Sequence, residues 1–383
     1  MPKRSNSLML IMSYASLISL GAYNAQLGVA WPSIRQTFGL PLNAMGVLLT
    51  ASTVGFFLSS IMSGGIITRS GAGALLVAAG AVGAAGTLGV ALSPSWWAAI
   101  VAYFGGGLSS GAFEVAMNTY VATQHGAREM NWLHAFYGIG ATAAPLLVTS
   151  LLEAGISWRW GYAAVTLIDA VLLLYFVLTF RQWQAAVQPA ADEHGEAGGV
   201  SPAATLRLAA VWFSIALFFV YTGMEVSTGQ WAYSLLTEAR GVGTAAAGVW
   251  VSVYWGSFTM GRILLGFIAD RIAPTTLLRA SMLGGILGAA LLWWNAVTWF
   301  SFAGLAVLGV SFASIYPGML TVTPARIGPQ HAANAIGFQT GVAGLGAAAL
   351  PALAGVLADG LGLEIIGPFT LAAAALTFVL HEL

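Results

Sequence analysis

Apolar residues fall in blocks of roughly 20, the length that crosses a hydrocarbon layer as a helix. The blocks lie near residues 8–30, 43–66, 73–93, 96–122, 131–153, 160–180, 207–234, 244–270, 275–296, 298–322, 332–357 and 362–381. Each predicts one membrane-spanning helix. A single long polar stretch, 181–206, interrupts them. It holds Asp192, Glu193 and Glu196 among Gly, Ala and Pro, the composition of a flexible linker. The pattern therefore predicts an all-α polytopic membrane protein of twelve helices, with a six-helix bundle over 1–180, a linker, and a second bundle over 207–383. The start of the chain imitates a signal peptide, with Lys3-Arg4 ahead of an apolar run from Leu8. That run reaches Val29, long enough to span, and is expected to stay as the first helix.

Composition agrees with the pattern. Hydrophobic residues make up 58% and charged residues 7%, against about 25% charged in soluble domains. The 48 glycines suit helices that approach closely in lipid. The absence of cysteine removes disulfides, thiolate metal sites and cysteine nucleophiles. No basic run follows Lys3-Arg4, which argues against nucleic acid as a partner. No catalytic triad, metal-ligand spacing or phosphate-binding loop is visible, so neither an enzyme nor a cofactor or metal is expected.

The arginines suggest orientation. With both termini in the cytoplasm, the inner loops hold Lys3, Arg4, Arg69, Arg128, Arg181, Arg207, Arg271, Arg279 and Arg326. The outer loops hold Arg35, Arg159 and Arg240. This satisfies the positive-inside rule. Arg262 lies within a span, where it is expected to pair with a carboxylate or to snorkel to the cytoplasm.

The two halves repeat. Gly64-Gly-Ile-Ile-Thr68-Arg69-Ser-Gly71 follows the second span, and Gly266-Phe-Ile-Ala-Asp270-Arg271-Ile-Ala273 follows the eighth, 202 positions later. The same offset pairs Gly21 with Gly223, Gly46 with Gly248 and Gly107 with Gly309. Gly138-Ile-Gly140-Ala-Thr-Ala-Ala-Pro145 matches Gly344-Leu-Gly346-Ala-Ala-Ala-Leu-Pro351 at an offset of 206. Two six-helix halves repeated in parallel characterise one large class of transporters.

On these residues the chain resembles the major facilitator superfamily, whose loop signature is Gly-x-x-x-Asp-Arg-x-Gly. The second copy here is nearly complete, and the first has Thr68 in place of Asp. A narrower resemblance is to the fucose:proton symporter and sugar-permease family. Asn131-Trp-Leu-His134-Ala-Phe-Tyr137-Gly138-Ile-Gly140, Gly223-Met-Glu225-Val-Ser-Thr-Gly229-Gln230-Trp231 and Phe113-Glu114-Val-Ala-Met-Asn118 carry it. The acidic residue that the fucose permease has in its first span is Gly28 here. The resemblance implies alternating access by two rocking halves. It also implies that Gly64, Arg69, Gly266, Asp270 and Arg271 belong to gating rather than to substrate contact.

Candidate chemistry lies in the few polar groups inside spans. A carboxylate at the bilayer centre costs about 3 kcal/mol on insertion scales, so Glu114, Glu225 and Asp169 need a reason to be there. Glu114 and Asn118 are one turn apart and share a helix face. Glu225 shares a face with Tyr221 and Thr222, in a segment loosened by Gly223 and Gly229. Asp169 falls in the sixth span, which the resemblance places at the periphery, where a structural hydrogen bond is expected. His134 joins these as a proton-path or substrate residue through the family match. The proton-coupling candidates are thus Glu114, Glu225, His134 and Asp169. Amides both donate and accept, as a sugar's hydroxyls require. The substrate candidates are Asn24, Gln26, Asn118, Tyr137, Gln230, Trp231, Tyr254, Trp255 and Gln339. Asn24 and Gln26 stand about 200° apart on a helix, so both face one cavity only if that helix is irregular.

The expectation is a monomeric secondary transporter in the bacterial inner membrane that takes up a monosaccharide or similar neutral polar solute with protons. Alternatives are a multidrug–proton antiporter, a sodium-coupled or uniport sugar carrier, and a non-transporting sensor.

Overall fold

The computed structural model describes residues 3–186, 200–268 and 271–383, and the described residues form helices without a strand. In the first half these are α1 (Lys3–Phe38), α2 (Met45–Leu92), α3 (Trp96–Gln124), α4 (Ala127–Glu153), α5 (Arg159–Leu178) and the short α6 (Phe180–Ala186). The second half has α7 (Pro202–Thr205), α8 (Ala209–Ser234), α9 (Thr244–Ile268), α10 (Pro274–Trp294), α11 (Thr298–Phe312), α12 (Ile315–Ile327), α13 (Pro329–Leu361) and α14 (Ile366–Glu382). Ten stretches among the described residues are long and apolar enough to cross a membrane. One of them, Leu42–Leu92, is two spans: α2 breaks at Gly71, where φ is +81° and ψ is 165°. That conformation suits only glycine. With α9, 25 residues long, the twelve predicted spans are accounted for.

The break in α2 is held from outside. The Gln184 amide on α6 donates to the Ser70 carbonyl at 2.6 Å and accepts from the Gly73 N–H at 3.0 Å. Both bonds replace ladder bonds that a sharp break leaves unmade. The segment 298–322, predicted as one span, is α11 and α12 separated at Ala313–Ser314. There the Ser314 hydroxyl shares a bond with Ser281 of α10 at 2.6 Å. The part of the linker over 187–199, with Asp192, Glu193 and Glu196, lies outside the described residues, as does Asp270.

Two compact units result, one comprising Met1–Leu40 with Val47–Ala191 and the other Pro41–Gly46 with Asp192–Leu383. Each is built on close glycine contacts, and the contacts repeat. In the first unit a side chain at Gly21 of α1 would strike the Tyr137 carbonyl of α4, and one at Gly140 of α4 would strike the Ile18 carbonyl of α1. In the second, Gly223 of α8 meets the Gly346 carbonyl of α13, and Gly346 meets Phe219 of α8. Gly86 of α2 is seated on Ala102 and Gly106 of α3, and Gly288 of α10 on Gly304 and Leu308 of α11. All three residues of the second set are displaced by 202 positions from the first. Gly107 against the Ser52 carbonyl and Gly309 against the Tyr254 carbonyl repeat at the same offset. The sequence repeat is thus a repeat of helix–helix contacts, as packing through small residues in lipid requires.

The outward surface is apolar. Ile61, Trp97, Val101, Leu167, Leu178 and Trp294 are each at least two-thirds exposed, the reverse of a water-soluble fold and the expectation for a lipid-facing one. Trp97 and Trp160 are exposed as interfacial anchors. Trp158 is instead buried, donating to the Thr37 hydroxyl at 3.0 Å. In the first unit Phe113, Met117, Tyr120, Phe176 and Trp183 form the buried core.

Candidate functional site

In the first unit, α3 carries Glu114 and Asn118 half-buried beside the core face made by Phe113, Met117 and Tyr120. Glu114 has no hydrogen bond or ion pair among the described residues. The Asn118 Oδ1 is buried without a hydrogen-bond partner. Two adjacent acceptors therefore sit at depth with no donor. Across on α1 and α4, the Asn24 amide donates to the Tyr137 hydroxyl at 3.3 Å, which brings two substrate candidates together. His134, one turn before Tyr137, is half-buried.

Gln26 points elsewhere. It is 1% exposed, and its Oε1 lies next to Gly161 of α5. The 200° separation from Asn24 is therefore kept, and α1 stays regular enough to send the two amides to different neighbours.

Asp169 is enclosed by hydroxyls. Ser19 of α1 donates to it at 2.5 Å and Thr87 of α2 at 3.2 Å, while Thr166 donates to Thr87 at 3.0 Å. A carboxylate so supplied ties α1, α2 and α5 into one block. Nearby, the Tyr23 hydroxyl donates to the Tyr103 carbonyl at 3.1 Å, and the Tyr103 hydroxyl bonds that of Tyr162. This tyrosine chain leaves little trace in the sequence. One signal was present: Tyr23 is the 202-position counterpart of Glu225.

In the second unit, Glu225 of α8 is half-buried under the electrostatic influence of Arg262 on α9, with the Tyr221 hydroxyl close by. Tyr221 itself donates to the Phe312 carbonyl at 2.7 Å, and Tyr254 donates to the backbone carbonyl of Glu225 at 2.8 Å. The Arg262 guanidinium lies 4.3 Å from the Phe258 ring centroid. Arg262 makes no ion pair among the described residues, and its Nε has no hydrogen-bond partner, so its charge acts on Glu225 without a direct bond. Trp255 packs on Gly229, which has no side chain to fill that space, and its Nε1 is buried without a hydrogen-bond partner. Tyr254 and Trp255 meet edge to face, 5.0 Å between centroids.

Other candidates sit in structural bonds. Trp231 is fully buried and donates to the Pro351 carbonyl of α13 at 2.9 Å. Gln339 donates to Ser214 and accepts from Thr323 at 3.2 Å. Gln230 is buried within α8. Of the gating positions, Gly64 and Gly266 lie within α2 and α9, and Arg69 and Arg271 are exposed. No cluster of metal-ligating side chains occurs among the described residues.

Comparison with known proteins fits this arrangement. The Major Facilitator Superfamily model matches residues 11–351. The chain belongs to the Major Facilitator Superfamily. Among its relatives are the sodium-dependent glucose transporter 1A of Mus musculus and the glucose/mannose transporter GlcP of Bacillus subtilis. The first is 23% identical over 90% of this chain and 88% of the relative. The second is 23% identical over 82% and 79%. Bypass of stop codon protein 6 of Saccharomyces cerevisiae is 26% identical over 62% of this chain, which spans about half (53%) of that relative's length. A crystal structure of a single-site mutant of the nucleoside transporter NupG superposes with a TM-score of 0.80 at 16% identity, over 97% of each chain. The protein is an integral membrane transporter of this superfamily, and not an enzyme.

Proposed function

We propose that this transporter takes up a monosaccharide together with protons, working by alternating access in a bacterial inner membrane with both termini in the cytoplasm. The observation that carries the reading is Glu114: an intramembrane carboxylate with no partner, one turn from the unpartnered carbonyl of Asn118. A charge in that setting is costly, and taking up a proton removes the cost. The neutral form then crosses with the solute and releases the proton on the other side. Asn24 with Tyr137, and Asn118, offer the mixed donors and acceptors that sugar hydroxyls need. Tyr254 is fully buried and Trp255 is 5% exposed, so in this structure neither presents a free stacking face. The names of the two glucose-transporting relatives support a sugar over other neutral solutes.

The test is uptake of radiolabelled glucose and mannose into proteoliposomes under an imposed proton gradient. Accumulation that collapses with a protonophore is expected. Accumulation driven by a sodium gradient alone would replace the proton with sodium, the second reading, which the mouse relative's name favours.

A further inference from the structure

One cavity, in the second unit, is used by none of this. It has a volume of about 250 Å³ and opens where α8 begins and where α12 and α14 end. Its walls set the apolar side chains of Phe213 and Leu217 of α8, Met319 of α12 and Leu380 of α14 beside the hydroxyl residues Ser214 and Thr323. Its mouth carries Arg326 and His381.

The hydrogen bonds fix the character of that mouth. An Arg326 Nη2 lies 3.3 Å from the His381 Nε2. Arginine is only a donor, so Nε2 is the acceptor and the ring proton is on Nδ1. His381 is 2% exposed and Nδ1 has no partner. A buried N–H without an acceptor is destabilising, so the pocket is short of an acceptor. Glu382, beside it, is held by both arms of Arg279 at 2.7 and 2.8 Å. Arg279 takes that acid, and Arg326 makes no ion pair among the described residues. Phe213 is 40% exposed on the apolar outer surface, so the cavity continues into the face that meets lipid.

We propose that this cavity binds an anionic phospholipid. The phosphodiester accepts from Arg326 and from the His381 Nδ1–H, and the first part of one acyl chain lies along Phe213, Leu217 and Met319. A basic pocket between spans at a membrane face, continuous with an apolar groove, has the chemistry of a lipid headgroup site. Free phosphate would satisfy the mouth and leave the groove empty, which favours the lipid.

The experiment is native mass spectrometry of the full chain in detergent, incubated with phosphatidylglycerol or phosphatidylcholine, with and without inorganic phosphate. Phosphatidylglycerol is expected to be retained on the order of tenfold better than zwitterionic phosphatidylcholine, and Arg326→Gln or His381→Leu to lower that retention by about tenfold, the scale of a lost charge-assisted hydrogen bond. Leu217→Trp, which fills the groove and leaves the charges alone, lowers it as well and serves if the Arg326 variant does not fold. Unchanged retention in Leu217→Trp and in either mouth variant overturns the proposal, as does equal retention of the two lipids. Displacement of phosphatidylglycerol by an equal concentration of inorganic phosphate also overturns it, in favour of a soluble anion.

Discussion

In the first half of the molecule Glu114 stands half-buried with no hydrogen bond or ion pair, whereas in the second half Glu225 lies under the influence of Arg262 with Tyr221 and Tyr254 around it. The two acids are not counterparts in the repeat: a tyrosine stands at the 202-position partner of each, Tyr316 for Glu114 and Tyr23 for Glu225. Their surroundings give them different chemistry. Glu225 has a cation and a hydroxyl nearby that favour its charge, while burial disfavours the charge at both acids. An acid without compensation gains the whole desolvation cost. Asp169 extends the contrast within the first half: it is more buried than Glu114, and hydroxyls from two neighbouring helices supply it. Burial alone therefore does not single out the proposed carrier; burial without donors is what sets Glu114 apart.

The contrast can be broken in several ways. The largest effect is expected from Arg262→Met, which strands the Glu225 charge and costs about 3 kcal/mol of stability. A melting-temperature measurement in detergent checks this, and adding Glu225→Gln should restore most of the loss. Restoration by Glu114→Gln instead would mean that the acids had been paired wrongly. Next come Gly140→Val and Gly346→Val, each forcing apart a repeated helix contact at about 2–3 kcal/mol. The repeat predicts similar drops in melting temperature for both. Asp169→Asn weakens two hydroxyl bonds and is expected to lose about 1–2 kcal/mol while gradient-driven uptake persists in the folded fraction. Loss of coupling with stability intact would move Asp169 from the scaffold to the proton path. The smallest stability effect, about 1 kcal/mol, belongs to Gln184→Ala at the break in α2, read by the same melting assay.

Much of this was legible in the chain, and for definite reasons. Span length and charge scarcity are set by the lipid, so the helices could be read from hydropathy alone. The 202-position repeat of Gly21, Gly107 and their partners became a repeat of contacts because glycines at helix crossings have no substitute. Side-chain direction was harder. Gln26 and Gln339 look like Asn24 in sequence, yet they turn into Gly161 and into Ser214 with Thr323. Which neighbour a side chain meets depends on helix rotation, and in an apolar chain that leaves little periodic trace. The cap on Gly71 came from Gln184, more than 100 positions away, and nothing local announces such a bond. Trp158 and Trp160 lie two positions apart, yet Trp160 is exposed and Trp158 is buried, because Thr37 gives the Trp158 indole an acceptor inside.

The central claim concerns Glu114, and Glu114→Gln in proteoliposomes tests it most directly. The glutamine keeps the shape and removes the titration. The account predicts that sugar counterflow between equilibrated compartments continues while accumulation driven by a proton gradient disappears. Full gradient-driven accumulation in the Glu114→Gln protein would contradict it.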